Sequence, residues 1–348
     1  MCHSQAVFLW QLYEDYASDE DKKYYLENKE EVSKLIISQY TRIHPEQISS
    51  LQYYSKTFCP AHYICVDHTI GAIVISCRGT STITDCIADC TFCYESLCVR
   101  GVYGLVHKGI YQTASTIYVK ILPTLHTLTL EYPDYKILCT GHSLGGAVAQ
   151  VLTILLRAKH QEFDTNCIVF GAVPSVSENI ANMEEFQSSV VSIINGSDMI
   201  PRCSLKSISD ILERIETVSS KVGSDLWYDL EDSLGQNFQQ IVKEHIRDKK
   251  VEWNDVKETH NVGQPLLPLG KCVNILGEEW RVCQNKEFAK IEAKLSSLSD
   301  HACDGYEGQV LKKMKNVANR IYKVDRKAEF VNLHNKFDLY YLSHLTPI

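Results

Sequence analysis

No stretch of this 348-residue chain approaches the roughly 20 uninterrupted apolar residues that a helix needs to cross a bilayer. Positive charge is also in deficit, with 35 Lys and Arg against 43 Asp and Glu, a formal net charge of -8. Nothing in that balance neutralises a phosphate backbone, so nucleic acid is excluded as a partner. The N-terminal stretch MCHSQAVFLWQLYEDYASDEDKK lacks a basic region and turns acidic by Glu14, which argues against a signal peptide. Internal repeats and low-complexity tracts are missing as well. What the chain does have is a globular composition, 45% hydrophobic and 22% charged, enough to bury a sizeable core. Its 14 cysteines would suit disulfides in a secreted protein. Without an export signal they read as reduced thiols of a cytoplasmic protein.

The apolar pattern predicts a mainly parallel α/β sheet. Residues 23 to 41 read as helix, and HYICVDHTIGAIVISC, 62 to 77, reads as two strands turning near Thr69-Ile70-Gly71. Further strands are expected at 135 to 141, 166 to 172 and 189 to 196, with a helix over 144 to 158 carried by Leu144, Ala147, Val148, Val151, Leu152 and Leu155. A hairpin is expected over 265 to 284, turning at Gly277-Glu278-Glu279. Strands alternating with helices through short connections imply a parallel arrangement. The organisation expected is a single domain over 1 to 348, with a helical segment at 1 to 50 and a charged helical insertion at 204 to 260.

The chemistry is concentrated in CTGHSLGGAVAQVL, 139 to 152, where Ser143 stands between Gly141 and Gly145 with Gly146 following. A strand that reverses into a helix within one residue forces that residue into a strained conformation and projects its side chain from the sheet edge. Side chains two positions either side would collide, so glycine is needed at both. Gly146 lets the new helix pack close to the strand. The serine oxygen then sits at a helix N-terminus, where developing negative charge is favoured. The alternative is a glycine-rich turn with an incidental serine. A hydroxyl nucleophile needs a base, the base needs an acid, and the tetrahedral oxyanion needs two backbone donors. The residue after the nucleophile, Leu144, supplies one of them in folds of this kind.

Several separated blocks occur together: PAHYICVDHTIGAIVISCRGT (60 to 80), VHKGIYQTA (106 to 114), CTGHSLGGAVA (139 to 149), IVFGAVPSVS (168 to 177), NGSDMIPR (195 to 202), LLPLGKCVNIL (266 to 276) and LSDHACDGY (298 to 306). In content and order they resemble the class 3 lipases of the α/β-hydrolase fold, and among these the diacylglycerol-lipase-like members. The resemblance runs from about residue 50 to 310 and leaves 204 to 260 and 307 to 348 uncovered. It implies an α/β-hydrolase with a mainly parallel central sheet. It also implies that Asp198, in NGSDMIPR, occupies the position of the catalytic aspartate; a turn aspartate capping the next segment is the plainer alternative. The second oxyanion donor implied is Thr80, in CRGT. Residues 82 to 105 match a region that often forms a lid over the acyl pocket, with a packed surface helix as the alternative. Asp85 and Asp89 within it read as structural.

Chain order of serine, acid, histidine leaves His245, His260, His301, His334 and His344 as bases. His245 and His260 fall in or beside the insertion, and His344 lies near the end of the chain, where an imidazole is loosely held. His301, in LSDHACDGY, has the Asp-His dipeptide and later tyrosine of the lipase motif. His334, in the amphipathic NLHNKFDLYY, is the runner-up. Four cysteines, Cys86, Cys90, Cys93 and Cys98, lie close together, but only Cys90 and Cys93 have zinc-ligand spacing, so no metal and no cofactor are expected. The function expected is hydrolysis of an acyl ester of a neutral glycerolipid, di- or monoacylglycerol, at a membrane or droplet surface. The rivals are a phospholipase A1 or other ester hydrolase on the same triad, and a lipase-like scaffold that binds partners through 204 to 260.

Overall fold

A computed structural model describes residues 1–8, 11, 14, 17–79, 94–211, 263–291, 294 and 296–322. Residues Met1–Glu307 make one compact unit and Gly308–Ile348 another; of the second, the described part is the later portion of a helix, Cys303–Tyr322.

Ten strands are present among the described residues. The first five are β1 (Ile48–Gln52), β2 (His62–Asp67), β3 (Ala72–Cys77), β4 (Tyr94–Val99) and β5 (Val102–His107). The others are β6 (Lys136–His142), β7 (Thr165–Phe170), β8 (Val190–Asn195), β9 (Lys271–Leu276) and β10 (Glu279–Cys283). Eight form one sheet in the order β1-β2-β3-β6-β7-β8-β9-β10. Its centre, β3-β6-β7-β8-β9, is parallel, and antiparallel hairpins close both edges. This is the α/β-hydrolase architecture, and the β2–β3 turn falls where expected, with Gly71 at φ 60°.

Alternation along β2 and β3 assigns the two faces of the sheet. Ile64, Val66, Ile73 and Ile75 join the large core, packed under the helices Lys108–Glu131 and Leu144–Lys159. Tyr63, Cys65, Ala72 and Val74 face the other way and are covered by Ala6, Val7 and Ile37 of the N-terminal helices. The sheet is thus buried on both sides, as its nearly continuous apolar strands require.

Three local expectations are corrected. The helix over 23 to 41 is two helices, Asp19–Glu27 and Lys29–Thr41, because Asn28 leaves helical geometry at φ -127° and ψ 41°. The helical segment at 1 to 50 ends before β1, whose Ile48 pairs with Cys65 of β2. Of the stretch 82 to 105, residues 94 to 105 belong to a two-stranded ribbon, β4 with β5, and not to a surface helix, while 82 to 93, with most of the expected lid, lie outside the described residues. The ribbon's turn residues Arg100 and Gly101 both have positive φ, 48° and 86°, the geometry of a tight hairpin. The insertion is described only through 211, where a helix has begun at Leu205.

Candidate active site

Residues that end the parallel strands converge at one edge of the sheet, where open α/β sheets place their ligands. Strand β6 ends at His142, and a helix begins at Leu144, so Ser143 alone makes the reversal. It does so at φ 58° and ψ -129°, a region that non-glycine residues rarely enter. Its N–H donates to the carbonyl of Phe170, 3.0 Å away, which holds the strained residue against β7. A Cβ added to Gly141 would run into the backbone of Gly145, and one added to Gly145 would meet the carbonyl oxygen of Cys77. These two glycines are therefore steric requirements of the turn.

Ser143 Oγ lies 2.9 Å from His301 Nε2, and His301 Nδ1 lies 2.9 Å from Asp198 Oδ2. With the Nδ1–H donated to the carboxylate, Nε2 is left to accept the serine hydroxyl. All three side chains are buried, Asp198 completely. The helix Leu144–Lys159 starts at this point, so the orphan N–H groups of its first turn face the serine. Gly79 approaches from β3; a Cβ there would be 2.7 Å from the carbonyl of His142 and 3.4 Å from Cβ of Ser143. Thr80, the next residue, lies outside the described residues, as do Asp85, Asp89, Cys86, Cys90, Cys93, His245, His260, His334 and His344.

The carboxylate is positioned by groups to which the sequence alone assigned no role. Tyr306 donates its hydroxyl to Asp198 Oδ2 at 2.6 Å and accepts the N–H of Asn195 at 3.0 Å. Asp198 Oδ1 accepts the N–H of Ile200 at 2.9 Å, and Arg202 donates to the Asp198 carbonyl. Asp300, beside the histidine, accepts from the Ser197 N–H at 2.8 Å, and its own carbonyl accepts from Asn195 Nδ2 at 3.0 Å. The loop carrying His301 is thereby fastened to the loop carrying Asp198. Gly171, at φ 54°, leaves the room they need: a Cβ there would lie 2.8 Å from Asp198 Oδ2, 3.0 Å from Tyr306 Oη and 3.1 Å from His301 Cε1. Burial, with Asp198 alongside, pushes the Tyr306 phenol well above its ordinary range, so it stays a donor. Tyr306→Phe removes that donor and leaves the Asn195 N–H unsatisfied. It is expected to cost roughly 1.5–3 kcal/mol of folding stability. Urea denaturation reads this, and an unchanged midpoint would deny the bond.

The His142 ring lies against that of His301, centroids 4.6 Å apart and planes tilted by 31°, and its Nε2 bonds the His301 carbonyl at 2.9 Å. Complete burial, reinforced by the neighbouring His301, lowers its pKa from 6.5 to about 3. The folded protein therefore holds this ring neutral while the unfolded chain protonates it below pH 6.5. The sign follows: the contribution is intact above pH 6.5 and is lost progressively as pH falls toward about 3. His142→Gln keeps an amide donor for the His301 carbonyl but cannot titrate. Thermal melts are expected to show a smaller loss of stability between neutral and acid pH in the variant than in the wild type. Parallel pH curves would reject the assignment.

A serine hydroxyl, an imidazole and a carboxylate linked in that order are equipped to deprotonate the serine as it attacks a carbonyl. Residues 74–208 match the family model "Lipase (class 3)". Diacylglycerol lipase-alpha of Homo sapiens is 28% identical over 174 residues, covering 47% of this chain and 16% of the relative. Secreted mono- and diacylglycerol lipase A of Penicillium cyclopium is 35% identical over 101 residues, 28% of this chain and 32% of the relative. The chain thus spans well under half the length of the curated relatives it matches. Among solved structures, a lipase from Rhizopus microsporus var. chinensis aligns at TM-score 0.45 and 17% identity, covering 69% of this chain and 68% of that one.

Proposed function

We propose, from the premise that the chain belongs to the class 3 lipase family, that it is a serine hydrolase of acyl esters of neutral glycerolipids, di- or monoacylglycerol. The observation that carries this reading is the unbroken hydrogen-bonded path from Ser143 through His301 to Asp198. Ser143 Oγ attacks the ester carbonyl carbon as its proton passes to His301 Nε2, and Asp198 stabilises the imidazolium without taking the proton. The N–H groups of Leu144 and Thr80 receive the oxyanion of the tetrahedral intermediate. That intermediate collapses to acyl-serine as His301 returns the proton to the departing glyceryl oxygen. Water, deprotonated by the same imidazole, then attacks the acyl-serine carbonyl and releases the fatty acid.

The glycerolipid substrate is supported by the names of the two curated relatives, one a diacylglycerol lipase and the other a mono- and diacylglycerol lipase. The described cysteines are free thiols, several of them sealed in the core, which supports a reducing compartment such as the cytoplasm as the site of action. No described helix is long and apolar enough to cross a membrane, and the lipid is taken to be met at a membrane or droplet surface.

The deciding experiment labels the purified protein with a fluorophosphonate and then analyses products from a panel of glycerolipids. Labelling with fatty acid released from di- or monoacylglycerol is the expected result. Release confined to the sn-1 position of phospholipids would replace the substrate class, and absence of labelling would favour the scaffold reading. A histidine base and backbone donors suffice for this chemistry, so hydrolysis is expected to be unchanged in EDTA. Activity lost in EDTA and regained with zinc or calcium would refute that expectation.

A further inference from the structure

Strand β2 runs antiparallel to β3, with His62 opposite Cys77, and Cys77 lies opposite Gly141 of β6. The loop that enters β2, residues 53 to 61, is therefore at the same end of the sheet as Ser143. Adjacent strands are about 4.8 Å apart, and where the loop enters β2 it is two strands away from the nucleophile's own strand. Arg78 ties the loop there: its N–H donates to the Ala61 carbonyl at 2.9 Å and its guanidinium to Ser55 Oγ at 2.8 Å.

The tip of this loop is a small hairpin. Lys56 and Cys59 exchange both backbone hydrogen bonds, each 2.9 Å, leaving Thr57 and Phe58 as the two tip residues. Phe58 sits there at φ 52°, the left-handed region that turns normally reserve for glycine or asparagine. Its side chain is nevertheless 46% exposed, and nearby Tyr54 is 43% exposed. A large aromatic held out in a conformation unfavourable to it has no packing explanation. Cations flank the same loop. Lys56 lies over the Tyr54 ring at 4.9 Å, and Lys120 reaches Cys59 Sγ at 3.1 Å, pinning the hairpin to the helix Lys108–Glu131. Phe58 and Lys108 both line an open groove of 630 Å³ on the first turns of that helix, whose acidic member is Glu95. Lys56, Lys108 and Lys120 are all exposed. The chain as a whole carries a net charge of -8, so this cationic, aromatic rim is a local departure from the charge of the whole.

We propose that this rim, Tyr54, Lys56 and Phe58 with Lys108 and Lys120, docks the protein on an anionic phospholipid bilayer. Phe58 enters the interfacial region, and the lysines pair with lipid phosphates and carboxylates. An amphipathic tyrosine, Tyr54, and an apolar aromatic, Phe58, beside snorkelling lysines make a composition that partitions to the headgroup layer. The lysines complement anionic headgroups and the half-exposed Phe58 suits the apolar layer beneath them, a pairing that a bilayer meets in full; a second copy of this net-negative chain would satisfy the charge alone and is an outcome of the test. Docking here sets the strand ends that carry Ser143 toward the membrane in which an acylglycerol resides. The purpose of the surface rests on the hydrolase reading, but its existence is measurable without turnover.

The test is co-sedimentation of the full chain with phosphatidylcholine vesicles, with and without phosphatidylserine, across a salt series. Binding is expected only with phosphatidylserine, and it should weaken as salt screens the lysines. Lys56→Glu exchanges an attraction for a repulsion and is expected to weaken binding about tenfold or more. Phe58→Gly suits the backbone at φ 52°, so it keeps the turn while removing the aromatic, and is also expected to weaken binding about tenfold. Both variants should retain wild-type hydrolysis of a short, water-soluble ester. Equal binding to the two vesicle types, or unaltered binding by both variants, would overturn the proposal. So would variants that change the oligomeric state in sedimentation velocity and leave vesicle binding intact, which would assign the rim to a second copy. Vesicle binding as expected without hydrolysis of any ester would instead count against the hydrolase reading and leave the docking surface standing.

Discussion

Replacing Ser143 with alanine is expected to lower ester turnover by about 10⁴-fold or more while the protein stays folded. The size follows from the path of proton transfer. Once Oγ is gone, His301 has no proton to take and no acyl intermediate forms, so whatever binding and oxyanion stabilisation remain act on uncatalysed attack by water. The fold should survive because the backbone demand at this position is unchanged. Alanine meets the same cost at φ 58°, and the flanking Gly141 and Gly145 still clear the turn. The anchoring bond from the residue 143 N–H to the Phe170 carbonyl is also kept. Steady-state hydrolysis of a soluble ester, paired with thermal melts, separates the two effects. A folded variant retaining even a few per cent of wild-type turnover would remove Ser143 from the reaction.

How far the sequence discloses this arrangement depends on the range of the interaction involved. The elbow is legible because its constraint is local: three glycines within six residues encode a collision that any side chain would create. The buried strands β2 and β3 are legible for the same kind of reason, through runs of Ile and Val between turn residues. The helix Lys108–Glu131 is not. It is rich in β-branched and aromatic residues, including Thr113, Thr116, Ile117, Tyr118 and Ile121, and it contains Pro123. Local propensity speaks against it, and tertiary burial of Ile110, Ile117, Ile121, Leu125 and Leu128 decides the matter. The ribbon of β4 and β5 is hidden by an arginine where a tight hairpin more often has asparagine or aspartate. In the site, Asp198 is legible from its place after a strand, but no spacing rule points to Tyr306, Gly171 or Asp300. Tyr306 is 108 residues from the carboxylate it supports. In the sequence it is the tyrosine of LSDHACDGY, which helps to pick out His301, but its part as a donor to Asp198 is legible only once the two loops are seen side by side.

His301→Ala is the second change expected to have a very large effect, and it tests the group for which the sequence offered rivals. His301 links Ser143 to Asp198, at 2.9 Å to each. Its loss leaves the serine hydroxyl at its ordinary weak nucleophilicity, so turnover should fall by about 10⁴-fold or more, and fluorophosphonate labelling should fall with it. Loss of labelling matters because the probe asks only whether the serine is activated, without any demand on lipid binding. The variant also leaves a buried carboxylate short of one partner, which is destabilising in itself. The remaining donors to Asp198, the Tyr306 hydroxyl and the Ile200 N–H, temper that cost. A thermal melt must therefore accompany the assay, and His301→Asn, which fills more of the space and restores a polar side chain, is a second variant that should be equally inactive. His334→Ala is the internal control and is expected to keep most of both turnover and labelling. If instead His334→Ala abolished labelling while folded His301→Ala retained it, the base would be His334. The hydrogen bonds joining His301 to Ser143 and Asp198 would then play no part in the reaction.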